Sequence, residues 1–411
     1  MKLSKTITPL TYALGTCAAE IFLSILYAKR IRQQVRLART LNLPCLNGYK
    51  ISNIHLFHVQ SCHLISSNHV LQIVLQTLLT FLYLPTRSAS RLLAYFGGTR
   101  LKEKYNFPRL NINRLCCSTS SCEHFSWEEV EQLNWSKQLE YFDPPCLPDE
   151  ATDYFFTRLN ELGFSKNDWF VCLHARTGHY RNDLNRRQYR NCDINSYTAV
   201  INEITASGGW VIRIGDSGML KLAPMERVID FTDSQINESQ LTLGAVRWCK
   251  FYLGCQSGPY DLAILFDRPM LTVNMYHWFA DRPIRIGDRG ITKKVYSTRH
   301  GRFLSIEEIF DPELNLFNKW DLNPGYILHD NNSEELLLAT QEFLKLLDSD
   351  RKEPTNKQAS INRLWESAQV SFVNKWSTNS RLSSSQEVFD QYRHAAYVSM
   401  ASGSICDFML S

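Results

Sequence analysis

Asp168-Trp-Phe-Val-Cys-Leu-His-Ala-Arg176 begins the part of the chain that decides the fold, and further runs of the same kind follow it: Trp210-Val-Ile-Arg-Ile214, Phe251-Tyr-Leu-Gly-Cys255 and Met270-Leu-Thr-Val-Asn274, with a shorter one at Val228-Ile-Asp-Phe231. Each is a short apolar run bounded by turn residues, the pattern of a strand buried on both faces. Helical stretches lie between them. Asp193 or Asn195 can cap one; Tyr197, Val200, Ile201 and Ile204 give it one apolar face, and Gly208-Gly209 ends it. Another is expected from about Glu238 to Cys249 with Leu241, Ala245 and Trp248 inward, and a third from Asp261 to Phe266. Strands alternating with helices predict an α/β domain: a doubly wound, mainly parallel sheet covered on both faces. Ligands of such sheets sit beyond the carboxyl ends of the strands, which puts Arg176, Gly215-Asp216 and Ser257-Gly258 on the working edge.

Outward from this core the chain is less regular. Asp143-Pro144-Pro145 with Pro148 reads as a linker, so one domain is expected over 1–150 and the sheet domain over 151–348. Asp281 to Arg302, rich in Arg, Lys and Gly, reads as a long loop. Helices are expected to begin at Ser305 and at Ser333, the latter running to Leu347. Residues 349–411 read as a helical tail, with a polar linker over 350–360 and helices near 361–376 and 384–399.

The length, 411 residues, allows two ordinary domains, and 44% hydrophobic with 21% charged residues excludes global disorder. A net charge of +4 is too small for a nucleic-acid binder. The twelve cysteines form no secreted disulfide pattern; Cys172, Cys249 and Cys255 lie in or beside strands, as buried free thiols would, and a reducing cytoplasm fits them. Cys116, Cys117 and Cys122 crowd one loop with His124 nearby, but paired CxxC knuckles are absent, and no metal is expected. The apolar stretch Ile7 to Tyr27, flanked by Lys2, Lys5, Lys29, Arg30 and Arg32, is about one membrane span long. It contains Pro9 and Glu20, so it is a candidate peripheral membrane contact at the inner face rather than a clear span. Val70 to Leu84 is shorter and fits a core helix.

Three constellations can carry chemistry. His174 and Arg176 are two apart on one strand and so share a face. An Arg at the end of an apolar strand offers a planar fork that matches phosphate; Gly178 and His179 allow close approach, and Arg181, Arg186, Arg187 and Arg190 follow in the same loop. A structural ion pair would use Arg176 equally well. Ser257-Gly258-Pro259 suits a helix start whose free N–H groups and dipole face an anion, or simply a well-capped helix. Arg213-Ile-Gly215-Asp216-Ser217 places a carboxylate just past a strand, suited to a ribose hydroxyl or a base edge, or to a plain turn. There is no GxGxxG after a strand, no GxxxxGK[ST], no HExxH and no DxD-type pair at the strand ends, against a standard nicotinamide enzyme and a P-loop NTPase.

Four ordered segments, His174-Ala-Arg176, Arg190-Asn-Cys-Asp-Ile-Asn-Ser-Tyr197, Gly208-Gly-Trp-Val-Ile-Arg-Ile-Gly-Asp216 and Phe251-Tyr-Leu-Gly-Cys-Gln-Ser-Gly258, resemble a bacterial glycosyltransferase family defined by H-x-R, R-N-x-D-I-x-x-Y, G-G-W-V-I-R-x-G-D and F-x-L-G-x-x-S-G. Gly301-Arg-Phe-Leu-Ser-Ile-Glu-Glu308 adds to the likeness. More remotely, the His-x-Arg strand and the Ser-Gly helix start are similar to those of GDP-fucose-using transferases. The resemblance implies a GT-B-like chain of two Rossmann-like domains that moves a sugar from a nucleotide diphosphate donor to a polysaccharide, lipid-linked or other glycan acceptor. It implies that Arg176, Ser257 and Gly258 hold the diphosphate and that Asp216 lies near the nucleoside. His174 stands near the diphosphate or sugar, and Gly178, Arg213 and Gly215 complete the donor side. Arg176 and His174 are then the catalytic pair, with no cofactor or metal needed. A non-catalytic nucleotide-sugar binder in surface-polysaccharide assembly, or an epimerase on a similar sheet, remains open.

Overall fold

The computed structural model describes residues 6–7, 13–32, 34–37, 53–65, 118–119, 139–140, 142–178, 188–276, 278, 281–314, 316–318, 321–350, 352–379, 393, 396–398, 400 and 401–410. Val70 to Leu84, the Cys116/Cys117/Cys122/His124 group, and His179, Arg181, Arg186 and Arg187 lie outside these. The chain divides into two compact units, Met1–Phe125 and Ser126–Ser411.

In the first unit, β1 (Thr6–Ile7), α1 (Leu14–Ile31) and β2 (Val35–Leu37) form a crossover, joined by β3 (Leu64–Ile65) and β4 (Ser118–Thr119). The sheet order is β3-β2-β1-β4, parallel throughout. The apolar run considered for membrane contact is therefore the crossover helix. Every residue from Gly15 to Ala28 is buried, Glu20 included. This stretch presents no exposed face, and residues 8–12 of the run lie outside the described residues. Among the described residues no helix is long and apolar enough to cross a membrane. α1 stops where Arg32 turns left-handed (φ 51°) and its N–H reaches back to the Ala28 and Lys29 carbonyls.

The second unit begins with α2 (Asp149–Glu161), then β5 (Phe170–His174), α3 (Thr198–Ala206), β6 (Trp210–Arg213) and β7 (Val228–Asp230). Next come α4 (Ser239–Trp248), β8 (Phe251–Gly254), α5 (Gly258–Leu265) and β9 (Met270–Met275). Beyond these lie β10 (Arg289–Thr292), β11 (Lys294–Ser297), β12 (Arg302–Phe303), α6 (Ile306–Ile309), β13 (Phe317–Asn318), β14 (Asp321–Leu322) and β15 (Tyr326–His329). The chain closes with α7 (Ser333–Leu347), α8 (Asn356–Asn379) and β16 (Ser404–Ile405).

Seven of these strands make one sheet, β7-β6-β5-β8-β9-β10-β16, parallel at every pairing. Chain order runs outward from β5 through β6 to β7, then returns to β8 on the other side and runs outward again. That is the Rossmann order, and its switch point lies between β5 and β8. Side chains leave the sheet alternately. Val171, Leu173, Val211, Phe251 and Leu253 pack with Val200, Ile201 and Ile204 of α3 and with Leu336, Ala339 and Phe343 of α7. On the other face Phe155 of α2 meets the Phe170 ring at 6.1 Å. Helices thus cover both faces, and the two parallel-sheet units give the α/β class expected of a GT-B-like chain.

Local chemistry explains the boundaries. The Asp193 carboxylate accepts from the Asn195 amide at 3.0 Å, caps a short 3-10 turn over Ile194–Tyr197, and leads into α3. Gly208, at φ 85°, ends that helix in a conformation side chains avoid. Asn332 and Glu335 form a capping box at the start of α7.

Three expectations need correcting. Asp281 to Arg302 is not a loop: β10, β11 and β12 run through it. Its charge density misled because Arg282, Arg289 and Lys293 are buried, Arg289 donating to the Ile286 and Asp288 carbonyls at 2.9 and 3.1 Å. Trp248 faces outward, 37% exposed, with Arg247 stacked 4.7 Å over it, because α4 ends there. α5 starts at Gly258, three residues earlier than its apolar pattern suggested, since Pro259 fits the first turn. The tail also supplies more than helices: β16 extends the main sheet, and Trp365 of α8 stacks on Phe310 with ring centroids 4.7 Å apart.

Candidate functional site

The carboxyl ends of β5 and β8 stand side by side at the switch point, with registers His174↔Gly254 and Leu173↔Leu253. Gly254 has to be glycine: a Cβ there would lie 2.6 Å from the His174 carbonyl oxygen. The glycine of the F-x-L-G segment lets β8 approach the strand that carries the His-x-Arg pair. Past the strands, the Cys255 amide donates to the His174 carbonyl at 3.3 Å and the Cys192 amide to the Arg176 carbonyl at 3.1 Å.

His174 is 4% exposed, and its Nδ1 lies 3.0 Å from the Ile214 carbonyl. A carbonyl can only accept, so Nδ1 carries the hydrogen and Nε2 is left as the acceptor of the ring. Arg176 is 9% exposed and donates from Nη1 to Asn191 Oδ1 at 2.5 Å. Asn191 is held in turn by Lys293, a buried side chain whose Nζ donates to the Asn191 carbonyl at 2.8 Å and pairs with Asp330. The guanidinium of Arg176 is therefore fixed by a chain of polar contacts.

Asp216 follows β6. Burial pushes its carboxyl up, and the nearby His174 and Arg176 pull it back. These three sit within one electrostatic neighbourhood, a convergence that positions far apart in the chain could not show. Gly215 shapes the same turn, its carbonyl accepting from Asn237 Nδ2 at 3.0 Å. Gly178 is buried in the loop after β5.

Ser257 is the N-cap residue of α5, yet its side chain makes no capping bond. Its hydroxyl is buried without a hydrogen-bond partner, and so is that of Thr177, next to Arg176. A buried orphan hydroxyl is unfavourable by about 1–3 kcal/mol. Two of them flank the switch point, one at a helix start whose free amides favour an anion. Gly258 opens the helix behind Ser257 with no side chain in the way.

Arg213 is placed elsewhere. It is fully buried in β6, and its Nη1 pairs with Asp230 Oδ2 at 2.9 Å on the neighbouring strand. That geometry is a sheet-stabilising pair. Arg190, one basic residue of the loop, does reach the site: Nη2 donates to the Gln256 carbonyl at 2.7 Å and ties the loop to the exit of β8. Gln256 bridges further, from Nε2 to the Asp281 carbonyl at 3.0 Å. Reading residues singly missed Asn191, Thr177, Lys293 and Gln256. For Asn191 the signal was its place beside Arg190 in a quoted segment; Lys293, in a stretch rich in charge, gave none. Among the described residues no group of three His, Cys, Asp or Glu side chains is arranged to hold a metal ion.

No protein-family model matches the chain. No curated protein matches it either. Among solved structures it is similar to a glycosyl transferase family 9 protein from Veillonella parvula, at 11% identity and a TM-score of 0.40, over 85% of this chain and 99% of that one. It is also similar to the ADP-heptose LPS heptosyltransferase II of E. coli, at 10% identity and a TM-score of 0.36, over 66% of this chain and 84% of that one. The iron-containing dodecameric glycosyltransferase TibC from enterotoxigenic E. coli gives 13% identity and 0.31, over 68% and 60%. Likenesses this weak add nothing to the sheet order already described.

Proposed function

We propose that the chain is a glycosyltransferase whose nucleotide diphosphate donor lies in the crevice between the ends of β5 and β8. One observation carries the reading: the Ser257 hydroxyl is buried without a partner at the start of α5, after β8, while Arg176 follows the neighbouring strand β5 across the switch point. A diphosphate would satisfy that hydroxyl, the first amides of the helix and the Arg176 fork together. Asp216 would lie toward the nucleoside, and Gly178, Gly215 and Gly258 would allow its close approach.

In this reading the bond between the sugar's anomeric carbon and the diphosphate oxygen breaks, and the electron pair stays on the diphosphate. Arg176 and the α5 amides stabilise that charge in a site already organised for it. The acceptor hydroxyl bonds to the anomeric carbon and passes its proton to His174 Nε2, the ring nitrogen that the Ile214 carbonyl leaves free to accept. The mechanism uses no metal: cationic side chains and a helix end supply the charge. The acceptor in this reading is a polysaccharide, a lipid-linked glycan or another glycan. The cysteines at positions 17, 62, 146, 172, 192, 249, 255 and 406 are all unbridged, which supports a reducing, cytoplasmic location.

The test is release of nucleoside diphosphate from UDP-, GDP-, ADP- and CDP-sugars offered with crude glycan acceptors. Turnover of one donor, lost in Arg176→Ala, is expected. Turnover that survives Arg176→Ala overturns the mechanism. Binding of a donor without turnover would favour a non-catalytic nucleotide-sugar binder.

A further inference from the structure

Helix α5 carries a carboxylate close to its own anion-binding end. Asp261 lies in the first turn, three residues beyond Gly258 and so about 5 Å along the axis. A fixed negative charge there opposes an incoming anion and cancels part of the helix field. The carboxylate is buried, 4% exposed, and is met by the distant C-terminal segment. Arg393 Nη1 lies 3.3 and 3.2 Å from its two oxygens, and the Tyr397 hydroxyl donates to Oδ1 at 2.9 Å. Arg190 and Asp281 also face it, with Tyr260 beside it on α5. The orphan hydroxyl of Ser257, on a residue only 8% exposed, is the separate sign that this helix start is built for a ligand.

We propose that Arg393 and Asp261 set the anion affinity of the α5 N-terminus, Arg393 cancelling the carboxylate so that the helix field acts on the bound diphosphate. This rests on the diphosphate reading above. Arg393 is a positioning residue here, acting through Asp261 and not on the reacting atoms. The arrangement also makes the site proton-sensitive. Burial pushes Asp261 up to about 7, against the pull of Arg393, with Asp281 adding to the rise and Tyr397 lowering it. As pH rises through about 7 the site gains a negative charge and holds an anion less tightly.

The experiment is calorimetric titration of the full chain with inorganic pyrophosphate from about pH 5.5 to 8.5, comparing wild type, Asp261→Asn and Arg393→Met. The expected result has opposite signs for the two variants. Asp261→Asn binds about tenfold tighter than wild type at high pH, and Arg393→Met about tenfold weaker, the scale of one charge at this range. The ratio of Asp261→Asn to wild type closes toward one at low pH, where wild-type Asp261 is protonated. Taking the ratio removes the titration of pyrophosphate itself. A pair with a merely structural role would weaken binding in both variants at every pH. If wild type binds pyrophosphate and Asp261→Asn binds no tighter at high pH, this inference falls and the diphosphate reading stands. If wild type binds no pyrophosphate, both fall. Should Arg393→Met fail to fold, the Asp261→Asn arm decides alone.

Discussion

Arg213 and Asp230 offer a test that separates a structural pair from a donor contact. Arg213 is fully buried, while the Asp230 side chain keeps 17% of its surface. The carboxylate accepts from Arg213 Nη1 at 2.9 Å, the Leu222 amide at 3.1 Å, the Thr232 amide at 3.0 Å and the Thr232 hydroxyl at 2.7 Å. Asp230→Ala removes all four hydrogen bonds and strands a guanidinium with no water in reach, a change worth about 3–5 kcal/mol of stability. Arg213→Met fills the same space and leaves the carboxylate with three donors and partial access to water, so it should cost about 1–2 kcal/mol. The asymmetry, about 2 kcal/mol, follows from which charge is left alone in the interior. Urea unfolding followed by far-UV circular dichroism measures it as the shift in midpoint at constant slope. Equal losses, or a larger loss for Arg213→Met, would refute the reasoning. So would loss of nucleotide binding in a folded Arg213→Met protein, which would return Arg213 to the donor site.

Three further outcomes are expected. Gly254→Ala should lose about 2–3 kcal/mol in the same assay, because the new methyl meets both the His174 backbone oxygen and the fully buried Tyr252 ring, neither of which has room to move aside; a change near zero would mean that β5 and β8 are less closely apposed. Burial pushes Asp261 up to about 7 and Asp288 up to about 6 from an ordinary 3.8. The folded chain therefore binds their protons more tightly than the unfolded chain, and the stability they contribute is fully present at low pH and lost as pH rises from about 4 through about 6 and 7. Asp288→Asn should flatten the urea midpoint against pH between about 4 and 6, and Asp261→Asn up to about 7; an unchanged slope in both would contradict the burial argument. Asn191→Ala should lower the turnover of a donor more than its affinity, by releasing Arg176 from a fixed pose; identical kinetics would show that Arg176 is held by other means.

Much of the second unit was legible because its strands are uniformly apolar and its helices carry one-sided periodicity. The runs at 170, 210, 251 and 270 are neighbouring parallel strands, and Asp193 and Gly208 bound their helix by short-range chemistry that sequence alone displays. The sheet rule puts Arg176, Asp216 and Ser257 on one edge from the strand spacing alone. What failed depended on partners distant in the chain. Arg289 and Lys293 looked like loop residues because a buried cation is normal only once its carbonyl acceptors are known. Arg213 looked available because Asp230 is its partner across a strand pairing that spacing does not show. Composition alone does not separate a membrane segment from a helix buried on all sides inside an α/β unit, and Gly15 to Ala28 form the latter. The clamp of Asn191 and Lys293 on Arg176, and of Arg393 on Asp261, links segments more than a hundred residues apart, beyond any local pattern.

The central claim is that the crevice between β5 and β8 holds a nucleotide diphosphate, and a thermal-shift panel of UDP, GDP, CDP, ADP and their common sugars tests it most directly. Wild type should melt at a higher temperature with one nucleotide, the more so as its concentration passes the dissociation constant. Ser257→Ala, which removes a buried hydroxyl that bonds nothing in the free protein, should be more stable than wild type by about 1–3 kcal/mol when unliganded and respond less to that nucleotide. Arg176→Ala should not respond at all. Folded wild-type protein that no nucleotide stabilises would contradict the account.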